Sequence, residues 1–361
     1  MRKHLVCLLS LALILGGVTT AHAYSYPPTD VRAMGMGGAY VAAGSGVASV
    51  NYNPALIRQS KKVEIVIPNL NLRFDDHSGL VDAINAFNST ANPLEQAAIL
   101  SQIAAAPGVD ATAYAGVGVG FNLLGLGMAV TYADEINFST DVDNFALLPT
   151  PDADVEYRGL EQRQWILTAG YDFGGLTLGG NLRFIDGTGL INTVAISDNP
   201  DIDLDTLRDG LEISPDGTQT AFDLGIVFNL SPIFEIGVVG RNINEPEFTF
   251  STETLKLEAR YRAGLAINLP VVKFSADYDL NKGETFGGNE YQEWALGTEI
   301  GLGSVFALRL GLSENMAISS DPIIYHAGIG LGVPFFRVDL AGMYGGDGDF
   351  LGAGANLSFK F

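Results

Sequence analysis

The chain has 361 residues, 47% of them hydrophobic, and carries 20 Lys and Arg against 41 Asp and Glu, a net charge of −21. That balance argues against nucleic acid as a partner, since a phosphate backbone is bound by clustered Lys and Arg. Mean hydropathy is nonetheless positive, +0.21, yet beyond the N-terminal region no apolar run approaches the ~20 residues of a membrane helix.

In chain order, Met1-Arg2-Lys3 precedes an apolar run from Leu5 to Val18 and then Ala21-His22-Ala23. This basic, apolar, small-residue order predicts a signal peptide over residues 1–23, cleaved after Ala23. The only cysteine, Cys7, lies inside that run, so the exported chain is expected to lack disulfides, a thiol nucleophile and thiolate metal ligands. Loss of Arg2 and Lys3 leaves 18 basic against 41 acidic residues, a net charge of −23.

Residues 32–55, RAMGMGGAYVAAGSGVASVNYNPA, are too small to build a core and too apolar for an ordinary linker. From Val63 onward a period of two takes over, as in Leu255-Lys256-Leu257-Glu258-Ala259-Arg260-Tyr261 and Phe336-Arg337-Val338-Asp339-Leu340. It predicts fourteen strands, near 63–74, 111–122, 124–136, 160–172, 175–188, 218–230, 233–244, 253–268, 271–281, 290–301, 304–314, 321–333, 335–345 and 350–361. Short turns alternate with longer loops, the longest at 75–110, 137–159 and 189–217. An even number of strands, short turns at one end and long loops at the other predict an all-β fold, a 14-stranded antiparallel transmembrane barrel over residues 63–361 in the bacterial outer membrane.

The last strand closes on Phe361, an aromatic terminus of the kind read by the outer-membrane assembly machinery. The long loops should face outward and hold most of the acid, including Asp141, Asp143, Asp152, Asp154 and Glu156. Membrane lipid and lipopolysaccharide are the surroundings such a barrel implies. Residues 24–62 then have no strand to join. Gly116, Gly118, Gly120, Gly125, Gly127, Gly328, Gly330 and Gly332 make the expected inner wall small too, so the N-terminal segment is expected to fill the lumen as a hatch.

Fourteen strands behind a segment running Arg32-Ala33-Met34-Gly35-Met36-Gly37-Gly38-Ala39-Tyr40 to Asn53-Pro54-Ala55 resemble the long-chain fatty acid transporter (FadL) superfamily, and most closely its TraF-like and PorV-like branch. The resemblance implies a hatch, or gate, containing Gly35, Gly37, Gly38, Asn53, Pro54 and Ala55. It also implies a hydrophobic small-molecule ligand such as a long-chain fatty acid. The family often continues Gly-Leu after the alanine, whereas Leu56-Ile57 follows here. PorV-type relatives imply an alternative, a non-transporting scaffold or carrier for secretion or conjugal transfer.

Three constellations have two readings each. Basic residues expected in the lumen, among them Arg73, Arg183, Arg241, Arg260, Arg262, Lys273, Arg309 and Arg337, are accompanied by similar numbers of acids. Arg260, Arg262 and Arg309 are candidates to hold a ligand carboxylate; the competing reading is a lattice of ion pairs. Leu80, Ile84 and Phe87 fall at helical spacing in the first outer loop, followed after Pro93 by Leu94, Ile99, Leu100 and Ile103. These helical pieces form either an apolar capture groove or a cap over the mouth. Asp201, Asp203, Asp205, Asp209 and Glu212 match positions 1, 3, 5, 9 and 12 of a calcium loop. Thr206 stands where that loop needs glycine, however, and Arg208 where it needs an apolar residue, which favours a plain acidic loop. No cofactor is expected. No nucleophile motif is present and His77 and His326 lie far apart, so the sequence does not point to an enzyme.

Overall fold

The computed structural model describes residues 29–60, 63–76, 79–103, 108–146, 151–196, 211–213, 217–251, 253–302, 305–319, 321–346 and 350–361. Fourteen antiparallel strands form the wall: β1 (Val63–Asp76), β2 (Val109–Leu123), β3 (Leu126–Ala146), β4 (Asp152–Asp172), β5 (Leu176–Ala195), β6 (Gln219–Ser231) and β7 (Phe234–Arg241). The second half comprises β8 (Arg260–Asn268), β9 (Val272–Asp279), β10 (Glu293–Leu302), β11 (Phe306–Asn315), β12 (Ile324–Val333), β13 (Phe336–Gly345) and β14 (Phe350–Lys360). Each pairs with the next, and β14 pairs back onto β1 from Glu64↔Lys360 to Asp75↔Phe350, so the sheet closes on itself. Closure removes the edges that an open sheet would leave unpaired. Phe361 completes the seam, exchanging backbone hydrogen bonds with Val63 at 2.9 and 3.2 Å.

Alternation decides which face each residue takes. Leu126, Met128, Val130 and Tyr132 on β3, and Trp165, Leu167 and Tyr171 on β4, point outward and are exposed. They belong to an apolar belt that recurs on every side of the wall and suits hydrocarbon contact. Above it, on the same outward face, come Asp134, Glu161 and Arg163, where Arg163 bonds Glu161 at 3.0 and 3.1 Å. The Tyr132–Trp165 pair, with ring centroids 5.1 Å apart, marks the boundary. Among the described residues no helix is long and apolar enough to cross a membrane; the belt is carried by strands.

The sequence reading is corrected in five places. Strands β3, β4 and β5 have 21, 21 and 20 residues, so Asp141, Asp143, Asp152, Asp154 and Glu156 lie in strands that rise above the belt. The predicted strand 253–268 is two elements. Thr254–Lys256 pairs with Glu247–Thr249 as a small ribbon, and the wall resumes at Arg260, because alternation persists while the pairing partner changes. Likewise, the strand predicted from 290 enters the wall at Glu293, and Glu290–Tyr291 pairs with Gly283–Glu284 in a second ribbon. Gly125 occupies the β2–β3 turn with φ of 85°, a left-handed conformation that favours glycine, and does not face inward.

The helices of the first outer loop form the fifth correction. Helices over Leu80–Ser89 and Pro93–Ile103 are present, the second opened by Asn92, whose Oδ1 accepts from Leu94 N–H at 3.1 Å. Leu80, Ile84, Phe87 and Leu100 are buried in one cluster with Val155, Tyr157 and Ile196. By register these strand residues share the outward parity of Trp165 and Leu167. The helices therefore brace the back of the raised wall and do not lie across the mouth.

Candidate functional site

Residues 29–57 are almost wholly buried, and their contacts travel round the ring. A Cβ on Gly118 or Gly120 would meet Val47; on Gly127 or Gly170, Ile57; on Gly179, Ala55; on Gly225, Asn53; on Gly237 or Gly264, Val41. The circuit continues with Met36 and Gly37 against Gly297 and Gly311, Gly35 against Gly328, and Val31 against Gly354. The wall is glycine-rich on this face because the segment's backbone occupies the volume that side chains would need.

The Asn-Pro-Ala stretch has a local logic. Asn53 Oδ1 accepts from Ala55 N–H at 3.0 Å, capping the short 3₁₀ helix Pro54–Gln59, and Pro54 takes the first helical position. The Asn53 amide donates to the carbonyls of Val41 at 3.0 Å and Ile226 at 3.3 Å. Leu56 packs on Gly44, and Ile57 fills the dent between Gly127 and Gly170, which is how this chain uses Leu-Ile after the alanine. Gly37 and Gly38 have φ of 70° and 81°, and a Cβ on Gly37 would lie 2.7 Å from the carbonyl oxygens of Leu296 and Leu312.

Inward polar side chains clasp the segment's backbone. Asp277 Oδ2 accepts from the N–H groups of Tyr40 at 2.7 Å and Val41 at 2.8 Å. Lys273 Nζ donates to Ala43 O at 2.8 Å, Asn181 Nδ2 to Val50 O at 3.0 Å, and Asn69 to Thr29 O. Arg58 reaches Asn229 at 2.9 Å and Glu235 at 3.2 Å. His326 Nδ1 donates to Met34 O at 2.9 Å, which leaves Nε2 to accept from Ser313 Oγ–H at 3.0 Å. The sequence reading found no Ser–His pair; this one joins wall to segment and is almost fully buried.

The arginines of the interior are paired with acids. Arg262 pairs with Glu293 at 2.8 Å, Asp279 at 3.4 Å and Asp277 at 3.6 Å. Arg309 pairs with Glu299 and with Asp339 at 2.9 Å, and Arg260 with Asp279 at 3.1 Å. Arg183 bonds Gln164 and Asn242, while Arg241 meets Glu135 at 3.1 Å. Geometry thus accounts for most of these charges as an ion-pair lattice, which fixes position more than it adds stability. Arg260 Nε and Nη1 are buried without a hydrogen-bond partner, as is Arg183 Nη2.

Two ribbons close the mouth. The ribbon Gly283–Tyr291 reaches across to β2 and β3, where Asn289 Nδ2 donates to Asp110 at 3.2 Å and Gly287 abuts the Thr140 carbonyl. The ribbon Glu247–Lys256 buries Phe248, Phe250 and Leu255 with Leu257 and Phe286 against Leu160, Ile185 and Ala221. At its root, burial pushes the Glu258 carboxyl up to about 7, against the pull of Arg260 and with the push of Glu245. Asp201, Asp203, Asp205 and Asp209 fall outside the described residues, and Glu212 lies in a short strand beside β5. Among the described residues no group of acidic, His or Cys side chains is set to hold a metal.

A closed fourteen-stranded barrel with its N-terminal segment against the inner wall defines the class. A family model described as "F plasmid transfer operon, TraF, protein" matches residues 50–279, and the chain belongs to that family. Its fold is shared by the toluene transporter TbuX of Ralstonia pickettii, with 12% identity, 95% of this chain and 99% of that one covered, and a TM-score of 0.58. It is shared too by the monoaromatic hydrocarbon channel CymD, with 11% identity, 93% and 98% covered and a TM-score of 0.58. A TodX hydrocarbon channel mutant gives 10% identity, 94% and 98% covered and 0.54. No curated protein matches by sequence. The resemblance to the TraF-like branch therefore holds at the level of family, and the likeness to these channels at the level of fold.

Proposed function

We propose that this chain is an integral outer-membrane barrel that admits hydrophobic small molecules, long-chain fatty acids among them, and that residues 24–62 are its hatch. The observation that carries this reading is the threaded segment touching the wall all the way round, in a fold shared with proteins titled as hydrocarbon channels. In the proposed path a solute leaves the outer surface, passes the mouth ribbons and meets the hatch around Asn53, Pro54 and Ala55. Arg260 is one of the groups with hydrogen-bond donors left for a carboxylate.

The second reading, a scaffold for conjugal transfer or secretion, is favoured by the family description. Uptake separates the two. Cells carrying the barrel are supplied with labelled oleate or toluene and compared with the Asn53→Ala, Pro54→Ala variant at equal outer-membrane levels. Barrel-dependent uptake of either label that changes in the variant supports a gated transporter. Uptake no different from cells lacking the barrel refutes transport of these solutes and leaves the scaffold.

A further inference from the structure

At the mouth, two glycines of the wall face two aromatic rings of the ribbon. On the inward face of β5, Gly187 and Gly189 stand two residues apart, and on the ribbon so do Phe248 and Phe250. A Cβ on Gly187 would come within 2.3 Å of the Phe248 ring, and one on Gly189 within 2.7 Å of the Phe250 ring. Both rings are buried, Phe248 completely, and Leu160, Ile185 and Ala221 form the surrounding wall. Two slots floored by glycine and walled by aliphatic carbon each take one flat ring.

The element supplying the rings is slight. Its two strands have three residues each, far below the length at which an isolated hairpin holds its shape in water. Its N-terminal root passes through two non-glycine residues in left-handed conformation, Asn242 with φ of 52° and Glu245 with φ of 50°, and is tied to the wall at Asn242, Ile243 and Asn244, so that any movement is confined to the residues beyond it. The Lys256–Glu245 pair at 2.6 Å belongs to the ribbon and its root. The Glu253–Arg158 pair at 3.4 Å joins it to the raised wall but is partly exposed, where ion pairs contribute little. Burial of Phe248, Phe250 and Leu255 helps to seat the ribbon, and apolar burial is the force an apolar solute can replace.

We propose that the Gly187 and Gly189 slots are a binding site for an uncharged, ring-sized apolar molecule, occupied here by Phe248 and Phe250 of a ribbon that acts as a displaceable lid. This rests on the transport reading for its biological sense and deepens it: the first recognition step selects flat apolar groups, before any head group is met. Binding and lid opening are then the same event, since ring and solute compete for one volume.

The test uses a thiol reporter in the full chain, with Cys7 replaced by serine so that the introduced cysteine is unique. The Phe250→Cys barrel in lipid nanodiscs is reacted with a water-soluble maleimide, with and without toluene, after its fold is confirmed by heat-modifiable mobility. Toluene at about ten times its Kd should raise the labelling rate about tenfold. Gly187→Ala, which pushes the Phe248 ring out, should raise labelling without toluene and blunt the response to it. Labelling indifferent to both toluene and Gly187→Ala overturns the proposal; if Gly187→Ala does not fold, Gly189→Ala, which pushes the Phe250 ring out, repeats the second arm with the reporter moved to Phe248→Cys. Toluene-stimulated labelling in a barrel that passes no toluene supports the slot and refutes transport. Passage of toluene with unmoved labelling supports transport and overturns the lid.

Discussion

Replacing Asp277 by asparagine tests whether the wall holds the hatch by charge. One carboxylate oxygen of Asp277 accepts two consecutive backbone N–H groups, Tyr40 at 2.7 Å and Val41 at 2.8 Å, in a buried setting. Hydrogen bonds to a charged group contribute about 1.5–3 kcal/mol each. The asparagine side chain keeps the volume and one acceptor but loses the charge, so the two bonds together should weaken by about 2–3 kcal/mol. Arg262 is not orphaned, because Asp279 at 3.4 Å and Glu293 at 2.8 Å remain beside it. At about 1.4 kcal/mol per tenfold, hydrogen exchange of the peptide covering residues 36–46 should quicken about thirty- to a hundredfold while the wall strands keep their protection. Unchanged exchange in that peptide, in a barrel of normal heat stability, would refute the claim that Asp277 anchors the hatch.

Three further outcomes follow from named contacts. Gly225→Ala places a Cβ 1.9 Å from Asn53 Oδ1; overpacking of this kind costs about 1–3 kcal/mol, and limited proteolysis should cut the 50–60 stretch sooner than in the parent. Phe87→Ala should cost the loop helices about 3–5 kcal/mol and make residues 80–103 protease-sensitive, while the barrel's thermal transition stays put because that cluster lies behind the wall. Glu258, with its carboxyl raised to about 7, favours the folded state fully below its ordinary pKa, and that contribution fades as pH climbs through about 7. Exchange of residues 246–259, corrected for intrinsic rate, should therefore rise between pH 5 and pH 8, and Glu258→Gln should remove the dependence. The groups around it are Arg260, Glu245, Lys256 and Glu284.

The wall was legible because alternation reports a two-faced strand wherever one face meets hydrocarbon and the other a packed interior. Strand number, closure at Phe361 and the short turns all follow from that period. What alternation does not report is the identity of the neighbour. Thr254 to Lys256 alternates as well as Arg260 to Asn268, yet one belongs to a ribbon over the mouth and the other to the wall. Asp141 and Glu156 looked like loop residues because acid is rare in strands within a bilayer, but above the belt strands need only a packed face, and Val142, Val155 and Tyr157 supply it against the helices. Small residues signalled close approach, although Gly125 and Gly127 are indistinguishable in sequence and only the second faces inward. The Ser313–His326–Met34 bridge carried no signal, since its partners are 13 and 292 residues apart.

The two closures differ in chemistry, and this constrains any passage through the barrel. The mouth ribbon buries Phe248, Phe250 and Leu255, contacts for which an apolar solute competes directly. The N-terminal segment proposed as the hatch is held by side chains bonded to its backbone from Asp277, Lys273, Asn181, Asn69 and His326, and no apolar solute can replace those bonds. A solute that lifts the ribbon therefore gains nothing against the hatch as a whole. Beside the hatch, however, the wall is weaker. Both ladders of β1 lose register between Val66 and Asn69, where Pro68 has no N–H to donate. Next to that interruption, Thr29 O accepts one hydrogen bond from Asn69, and Val47 N–H donates one to Glu64 and packs with Val66. If the hatch gates passage, the movement with the fewest bonds to break is local to this seam, and Asn69→Ala should increase the exchange of residues 29–35 without loosening residues 50–58, held separately by Asn53 and Arg58. Equal loosening of both ends would show that the hatch moves as one body and would overturn the local mechanism.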